Sequence, residues 1–201
     1  MIRAAVVGAT GYAGAELVRL LAGHPDVTVT VLTSRQYAGQ LFSEVYPAVA
    51  GQIDLPCQDF SAAAVADQAD VVFTALPHQL PMDIVPDLLH RGCRVVDLSA
   101  DFRFSDVATY EAHYQPHAAA DLCQISVYGL SEVYREAIAS ADLVGNPGCY
   151  PTSVLLGLVP LVQAELLEVD QIIADAKSGL SGAGRSPSLG THLCEISESV
   201  K

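Results

Sequence analysis

Asn146-Pro147-Gly148-Cys149-Tyr150-Pro151-Thr152 sets a cysteine between Gly-Pro punctuation and a long apolar run. A thiolate in such a place can attack an activated acyl group and hold it as a thioester. Pro151 suits the first position of a helix, where its missing N–H costs nothing. Cys149 then lies just ahead of that N-terminus, whose dipole favours thiolate over thiol. Gly148 leaves space for a substrate beside the sulfur. The competing reading is a buried filler at an element boundary, the usual place of a free cysteine.

A second chemical pattern stands near the start. Gly8, Gly11 and Gly14 form G-x-x-G-x-x-G, with Thr10 and Tyr12 between them, directly after an apolar run and before an amphipathic stretch. Glycines there permit a tight turn and a close approach of backbone to a pyrophosphate, while a helix N-terminus offers free N–H groups. A plain strand-to-helix turn also uses glycine, so the neighbouring elements decide the reading in favour of a dinucleotide. Cofactor choice is read one strand later. NAD binders usually end that strand with a carboxylate for the ribose 2′-hydroxyl. Here it ends Thr33-Ser34-Arg35, a hydroxyl and a guanidinium without an acid. That pair suits a 2′-phosphate and favours NADP (NADPH), unless Arg35 is a solvated loop residue.

The elements that must position these groups follow from periodicity. Ile2–Val7 is a short apolar run that predicts a buried strand, and Val27–Leu32, Asp70–Leu76, Arg94–Ser99 and Ala141–Asn146 repeat it. Between them lie a helical stretch with Leu17, Leu20 and Leu21 on one face, another over Met82–His90, and a third over Ser131–Ala139. Strands alternating with helices predict a Rossmann-like, doubly wound, mostly parallel α/β sheet. After Pro151 the texture changes to a very apolar helix, broken or kinked at Pro160. A strand over the sequence QIIADAKSG and a Gly/Ser-rich loop follow. The expected division is a dinucleotide-binding domain over 1–148 and the truncated start of an α+β catalytic and dimerisation domain over 149–201.

Composition narrows the classes further. A formal charge of −13 over 201 residues repels nucleic acid and anionic membranes, and no basic run offsets it. The longest apolar stretch, Val154–Val162, is too short to span a bilayer, and no signal peptide is read at the N-terminus. Cysteines at 57, 93, 123, 149 and 194 include no C-x-x-C pair. That argues against zinc or any other metal site and against a disulfide framework, and fits a reducing, cytoplasmic setting.

The segments GATGYAGAELVRLLAGHP, TSRQYAGQ, DVVFTALPH, VVDLSADFR, VYGLSE, NPGCYPT and KSGLSGAGR occur in this order. Together they resemble the N-acetyl-gamma-glutamyl-phosphate reductase family, over the whole chain. The sister aspartate-semialdehyde dehydrogenases share the architecture but usually surround their cysteine with Asn-Cys-x-Thr. The resemblance implies that Cys149 attacks the acyl phosphate of N-acetylglutamyl 5-phosphate, and that hydride from NADPH then yields the semialdehyde, a step of arginine biosynthesis. It implies that Ser181, Gly182 and Ala183 line the nicotinamide and phosphate region and that Pro77 and His78 border the cofactor. It places Asn146, Gly148 and Ser178 at the substrate, with Arg103 and Arg185 as anion partners or, failing that, solvated loop arginines. It also implies a homo-oligomer when full length. Gln40 and Ser131 depart from the family's usual lysine and proline without touching the chemistry. The family's catalytic histidine belongs to a His-Arg-His-x-Pro-Glu stretch expected beyond Lys201, and none of His24, His78, His90, His113, His117 and His192 sits in such a motif. A non-catalytic alternative is a dinucleotide-binding module without turnover.

Overall fold

The computed structural model describes residues 1–192. Cys194 lies outside them. Seven strands form one sheet in the order β3-β2-β1-β4-β5-β7-β6. They are β1 (Ile2–Val7), β2 (Val27–Thr33), β3 (Cys57–Gln58), β4 (Val71–Thr74), β5 (Arg94–Asp97), β6 (Val127–Tyr128) and β7 (Leu143–Gly145). Every pairing is parallel, so the expected mostly parallel sheet is parallel throughout the described residues. The helices are α1 (Tyr12–Ala22), α2 (Phe42–Val45), α3 (Ala62–Ala66), α4 (Leu80–His90), α5 (Val107–His113), α6 (Ala120–Cys123), α7 (Ser131–Ser140) and α8 (Cys149–Gln163).

Helices on both faces explain why the central strands are continuously apolar. Along β1, Ala5 and Val7 enter a core with Val31, Val72, Val85, Leu88 and Leu143. Ala4 and Val6 enter a second core with Val18, Leu21, Leu32 and Phe42. The period of two in a strand divides one run between two layers. On α1 the buried stripe is Gly14, Val18 and Leu21, while Leu20 is 56% exposed. The expected Leu17–Leu20–Leu21 face is therefore rotated: the glycine that opens the helix lies on the sheet side and carries the stripe with it.

Two expectations for the last quarter are corrected. The apolar helix begins at Cys149, ahead of Pro151, and runs through Pro160 without a break. Pro151 is tolerated at its third position because the first four N–H groups of a helix have no intrahelical partner. Residues 172–179 form no strand. A strand needs a ladder partner, and no described segment pairs with them. No described residue of α8 is fully buried.

The chain winds outward from β1 to β2 and β3, then returns to place β4 against the other side of β1. The crevice above that reversal, at the carboxyl ends of the strands, is where open α/β sheets hold ligands. No described helix is long and apolar enough to cross a membrane.

Candidate active site and cofactor cleft

The glycine loop opens this crevice. Gly8 has φ +83°, and a Cβ there would fall 2.4 Å from the Ala75 carbonyl oxygen at the end of β4. A Cβ on Gly14 would fall 2.3 Å from the Gly8 carbonyl oxygen. Both positions are glycine because the loop is pressed onto the end of β4 and α1 onto the loop. Gly11, the N-cap of α1, is under no such pressure: its Cβ would meet only the Gly8 oxygen, at 3.7 Å. Its missing side chain leaves the α1 N-terminus bare toward a ligand phosphate. The loop is tied to the next strand by a 2.7 Å hydrogen bond between the Thr10 and Ser34 hydroxyls, both buried. Tyr46 donates its hydroxyl to the Thr10 carbonyl at 2.9 Å. Tyr12 is exposed at the first position of α1.

A cleft of about 520 Å³ runs from Gly8 past Thr33, Ser34 and Arg35 to Asp59, Phe60, Leu80 and Ile84. Ser34 accepts the Tyr37 N–H at 3.3 Å besides its hydroxyl–hydroxyl hydrogen bond with Thr10, so it fixes the turn. Arg35 is exposed and offers the cleft its positive charge. A bare helix N-terminus, a cleft of this volume and one guanidinium at the second strand end fit a phosphorylated dinucleotide.

Across the crevice, Pro77 and His78 follow β4 and are exposed. The His78 Nδ1 accepts the Ala100 N–H at 3.0 Å, and its ring meets Tyr114 edge-on. Two buried carboxylates beneath this loop had no signal in the sequence pattern. Asp97 accepts the hydroxyls of Thr74 (2.6 Å) and Ser99 (2.5 Å). Asp101 accepts the Gln79 N–H at 2.9 Å and the Tyr110 hydroxyl at 2.8 Å. They clamp the loops after β4 and β5 together and hold Gln79 at φ 79°. Burial pushes the Asp97 carboxyl above the usual carboxylate range. Burial, then Asp101, pushes the Tyr110 phenol up.

At the end of β7 three of the expected substrate residues, Arg103, Asn146 and Gly148, come together, while Ser178 lies against Gly182. Cys149 is exposed and is the first helical residue of α8, with Gly148 as its N-cap. Arg103 donates from Nε to the Asn146 carbonyl at 2.7 Å and from Nη2 to the Leu98 carbonyl at 2.9 Å. A Cβ on Gly148 would lie 3.2 Å from Arg103 Nη1, so the guanidinium lies against the residue that precedes the thiol. The Asn146 N–H donates to the Asp97 carbonyl at 2.8 Å, and its amide turns to the Pro147 carbonyl. Gly145 is required as well, since its Cβ would sit 2.1 Å from the Phe102 carbonyl oxygen. Among the described residues, no hydrogen bond joins the Cys149 thiol to a histidine.

Arg185 is not gathered beside Arg103. It donates to the Thr10 carbonyl at 2.8 Å and to the Tyr46 and Tyr37 hydroxyls, each at 3.2 Å. Its guanidinium lies 5.2 and 5.1 Å from the centroids of the Tyr37 and Tyr46 rings. It therefore fastens the loop after residue 178 to the glycine loop. A second cleft there, of about 520 Å³, is lined by Tyr12, Ser181, Gly184, Arg185 and His192. Gly182 and Ala183 belong to the same single turn, Leu180–Ala183, and a Cβ on Gly182 would strike the Ser178 hydroxyl. Tyr37, Tyr46, Asp59, Asp97 and Asp101 were not singled out by the sequence pattern.

Residues 3–141 match the family described as semialdehyde dehydrogenase, NAD binding domain, and residues 149–201 match semialdehyde dehydrogenase, dimerisation domain. Among curated relatives, the chain is 53% identical over 201 residues to an N-acetyl-gamma-glutamyl-phosphate reductase of Desulforapulum autotrophicum, covering all of this chain and 58% of that protein. It is 52% identical to one of Syntrophobacter fumaroxidans, with the same coverage. The chain thus spans less than two thirds of the length of these relatives. Two solved structures share the fold. Aspartate semialdehyde dehydrogenase II of Vibrio cholerae, complexed with ASA, gives a TM-score of 0.61 at 20% identity, over 82% of this chain and 47% of that one. The Candida albicans enzyme with NADP gives 0.55 at 18% identity, over 83% and 48%.

Proposed function

The chain belongs to the semialdehyde dehydrogenase family, and on that premise we propose that it carries the cofactor-binding and nucleophilic part of an NADPH-dependent N-acetylglutamyl 5-phosphate reductase. The observation that carries this reading is Cys149, exposed at the first position of α8 with Arg103 lying against Gly148 beside it. In this reading residues 1–148 bind the dinucleotide and 149–201 begin the substrate and dimerisation domain of a homo-oligomer. The free cysteines fit a reducing, cytoplasmic setting and arginine biosynthesis supplies the context.

Cys149 sulfur forms a bond to the acyl carbon, and the bond from that carbon to the phosphate oxygen breaks, with phosphate leaving on its own electron pair. Arg103 offsets the charge of the departing phosphate. Two of its nitrogens are already held by carbonyls, so the guanidinium needs no reorganisation as charge develops. NADPH, when bound, supplies the hydride that reduces the thioester. Gly8, Thr10, Gly11, Tyr12 and Gly14 hold the pyrophosphate at the α1 N-terminus and Arg35 takes the 2′-phosphate. Pro77, His78, Ser181, Gly182 and Ala183 border the nicotinamide end. Cleavage of the carbon–sulfur bond then releases the aldehyde and returns the thiolate. A positioned base or acid accelerates such proton transfers ~10²–10⁴-fold, and among the described residues no histidine is hydrogen-bonded to the Cys149 thiol to take that role. Asn146, Gly148 and Ser178 shape the acyl site, and Arg185 acts from the cofactor side.

The test is phosphate release by the chain from N-acetylglutamyl phosphate and from aspartyl phosphate in parallel. The proposal expects about one phosphate per chain from the first, little from the second, and none from Cys149→Ser. Equal release from both substrates overturns the substrate assignment, and release by Cys149→Ser overturns the mechanism. A dinucleotide module without turnover would leave Cys149 and the Arg103 contact without a task.

A further inference from the structure

The sheet order sets the carboxyl ends of β1, β2 and β3 side by side, with neighbours about 4.8 Å apart. Gly8 follows β1, Ser34 and Arg35 follow β2, and Asp59 and Phe60 follow β3. Register fixes this sequence of ends. Thr33 pairs with Gln58, the Ala9 N–H donates to the Thr33 carbonyl, and the Ser34 N–H donates to the Gln58 carbonyl, both at 3.0 Å. All three ends border the same cleft.

The adenosine half of a dinucleotide presents phosphate, ribose and base in line. With phosphate at Gly8 and ribose at Ser34 and Arg35, the base falls at the end of β3. The cleft changes character there: Phe60, Leu80 and Ile84 offer apolar walls to a flat ring, and Asp59 offers a carboxylate. Among the described residues Asp59 takes part in no hydrogen bond or ion pair, so its acceptors remain open. An ionised carboxylate accepts only and pairs with an N–H donor. Adenine carries an exocyclic amine, whereas hypoxanthine carries a carbonyl oxygen at the same carbon. Asp83 borders the cleft from the first turn of α4, where the helix dipole already stabilises its charge.

We propose that Asp59 reads the exocyclic amine of the cofactor's adenine, so that the cleft selects the base as well as the 2′-phosphate. This rests on the cofactor reading above.

The test is a titration of the 201-residue chain, followed by nicotinamide fluorescence, with NADPH and with its hypoxanthine counterpart. The parent is expected to bind NADPH ~10-fold more tightly than the hypoxanthine form, and Asp59→Ala to reduce that preference below ~2-fold. Asp59→Ala should still bind the hypoxanthine form as well as the parent does, which shows that the variant is folded. Asp83→Ala should keep the full preference. A parent without base preference, an Asp59→Ala variant that keeps it, or an Asp83→Ala variant that loses it in its place overturns the assignment while leaving the cofactor reading intact. A parent that binds neither form overturns both.

Discussion

Arg103 donates from Nε to the Asn146 carbonyl at 2.7 Å, and this joins the loop after β5 to the turn that carries Cys149. The planar fork spans two carbonyls, Asn146 and Leu98, while Nη1 lies toward Gly148. An ammonium is a point charge and cannot reproduce that geometry. Arg103→Lys should therefore lower the rate of Cys149 acylation by acyl phosphate about 10- to 100-fold while NADPH affinity stays within about 2-fold. Rapid quench with phosphate detection, beside a cofactor titration, checks both parts. An unchanged acylation rate would remove Arg103 from the phosphate site.

Cofactor choice rests on Arg35, the exposed cation of the cleft at the end of β2. The chain should bind NADPH more tightly than NADH. Arg35→Ala should cost ~1.5–3 kcal/mol toward NADPH, roughly ten- to a hundred-fold, and leave NADH almost untouched. Equal affinities for the two cofactors in the parent would refute the assignment.

Thiol reactivity should divide sharply. Cys57, Cys93 and Cys123 are buried, and burial pushes each of their thiols up. Cys149 is exposed at a helix N-terminus. Limiting iodoacetamide at neutral pH should label Cys149 at least ~10-fold faster than those three. Peptide mapping that finds one of them modified first contradicts the nucleophile assignment.

The buried Asp97 gives a pH signature. Its carboxyl titrates above the usual range because burial opposes the charge. In the window from about pH 4, the ordinary aspartate value, up to the raised folded value, the folded chain binds a proton that the unfolded chain has lost. Asp97 therefore contributes stability below that window, and the contribution is lost as pH rises through it. Asp97→Asn cannot titrate, so urea unfolding should show a flatter fall in stability with pH across the same interval. Equal slopes for parent and variant would show that Asp97 is not displaced.

Much of this arrangement was readable from the chain, for identifiable reasons. Gly8 and Gly14 stand where a Cβ would strike backbone, so the loop announces itself in composition. Cys149 is marked by Gly148 and Pro151 beside it. The two-residue strands β3 and β6 are too short to show alternation, and they became visible only as partners of β2 and β7. The hold of Tyr37 and Tyr46 on Arg185 joins residues separated by 148 and 139 positions, which no local pattern encodes. Asp97 and Asp101 read as ordinary polar residues at the end of a strand and in the loop after it. Their burial depends on Thr74, Gln79 and Tyr110, brought in from other elements. The start of α8 lies two residues ahead of the one expected from Pro151, because a proline, which favours the first helical position, is also tolerated later in a first turn whose N–H groups have no intrahelical partner.

The central claim is that Cys149 forms a covalent acyl intermediate. Brief exposure of the 201-residue chain to N-acetylglutamyl phosphate without cofactor, followed by acid quench and peptide mass mapping, measures it directly. The account predicts the N-acetylglutamyl group on the peptide containing Cys149, labile to hydroxylamine as a thioester and absent from Cys149→Ser. Phosphate release without any adduct on that peptide, or an adduct on another residue that persists in Cys149→Ser, would contradict it.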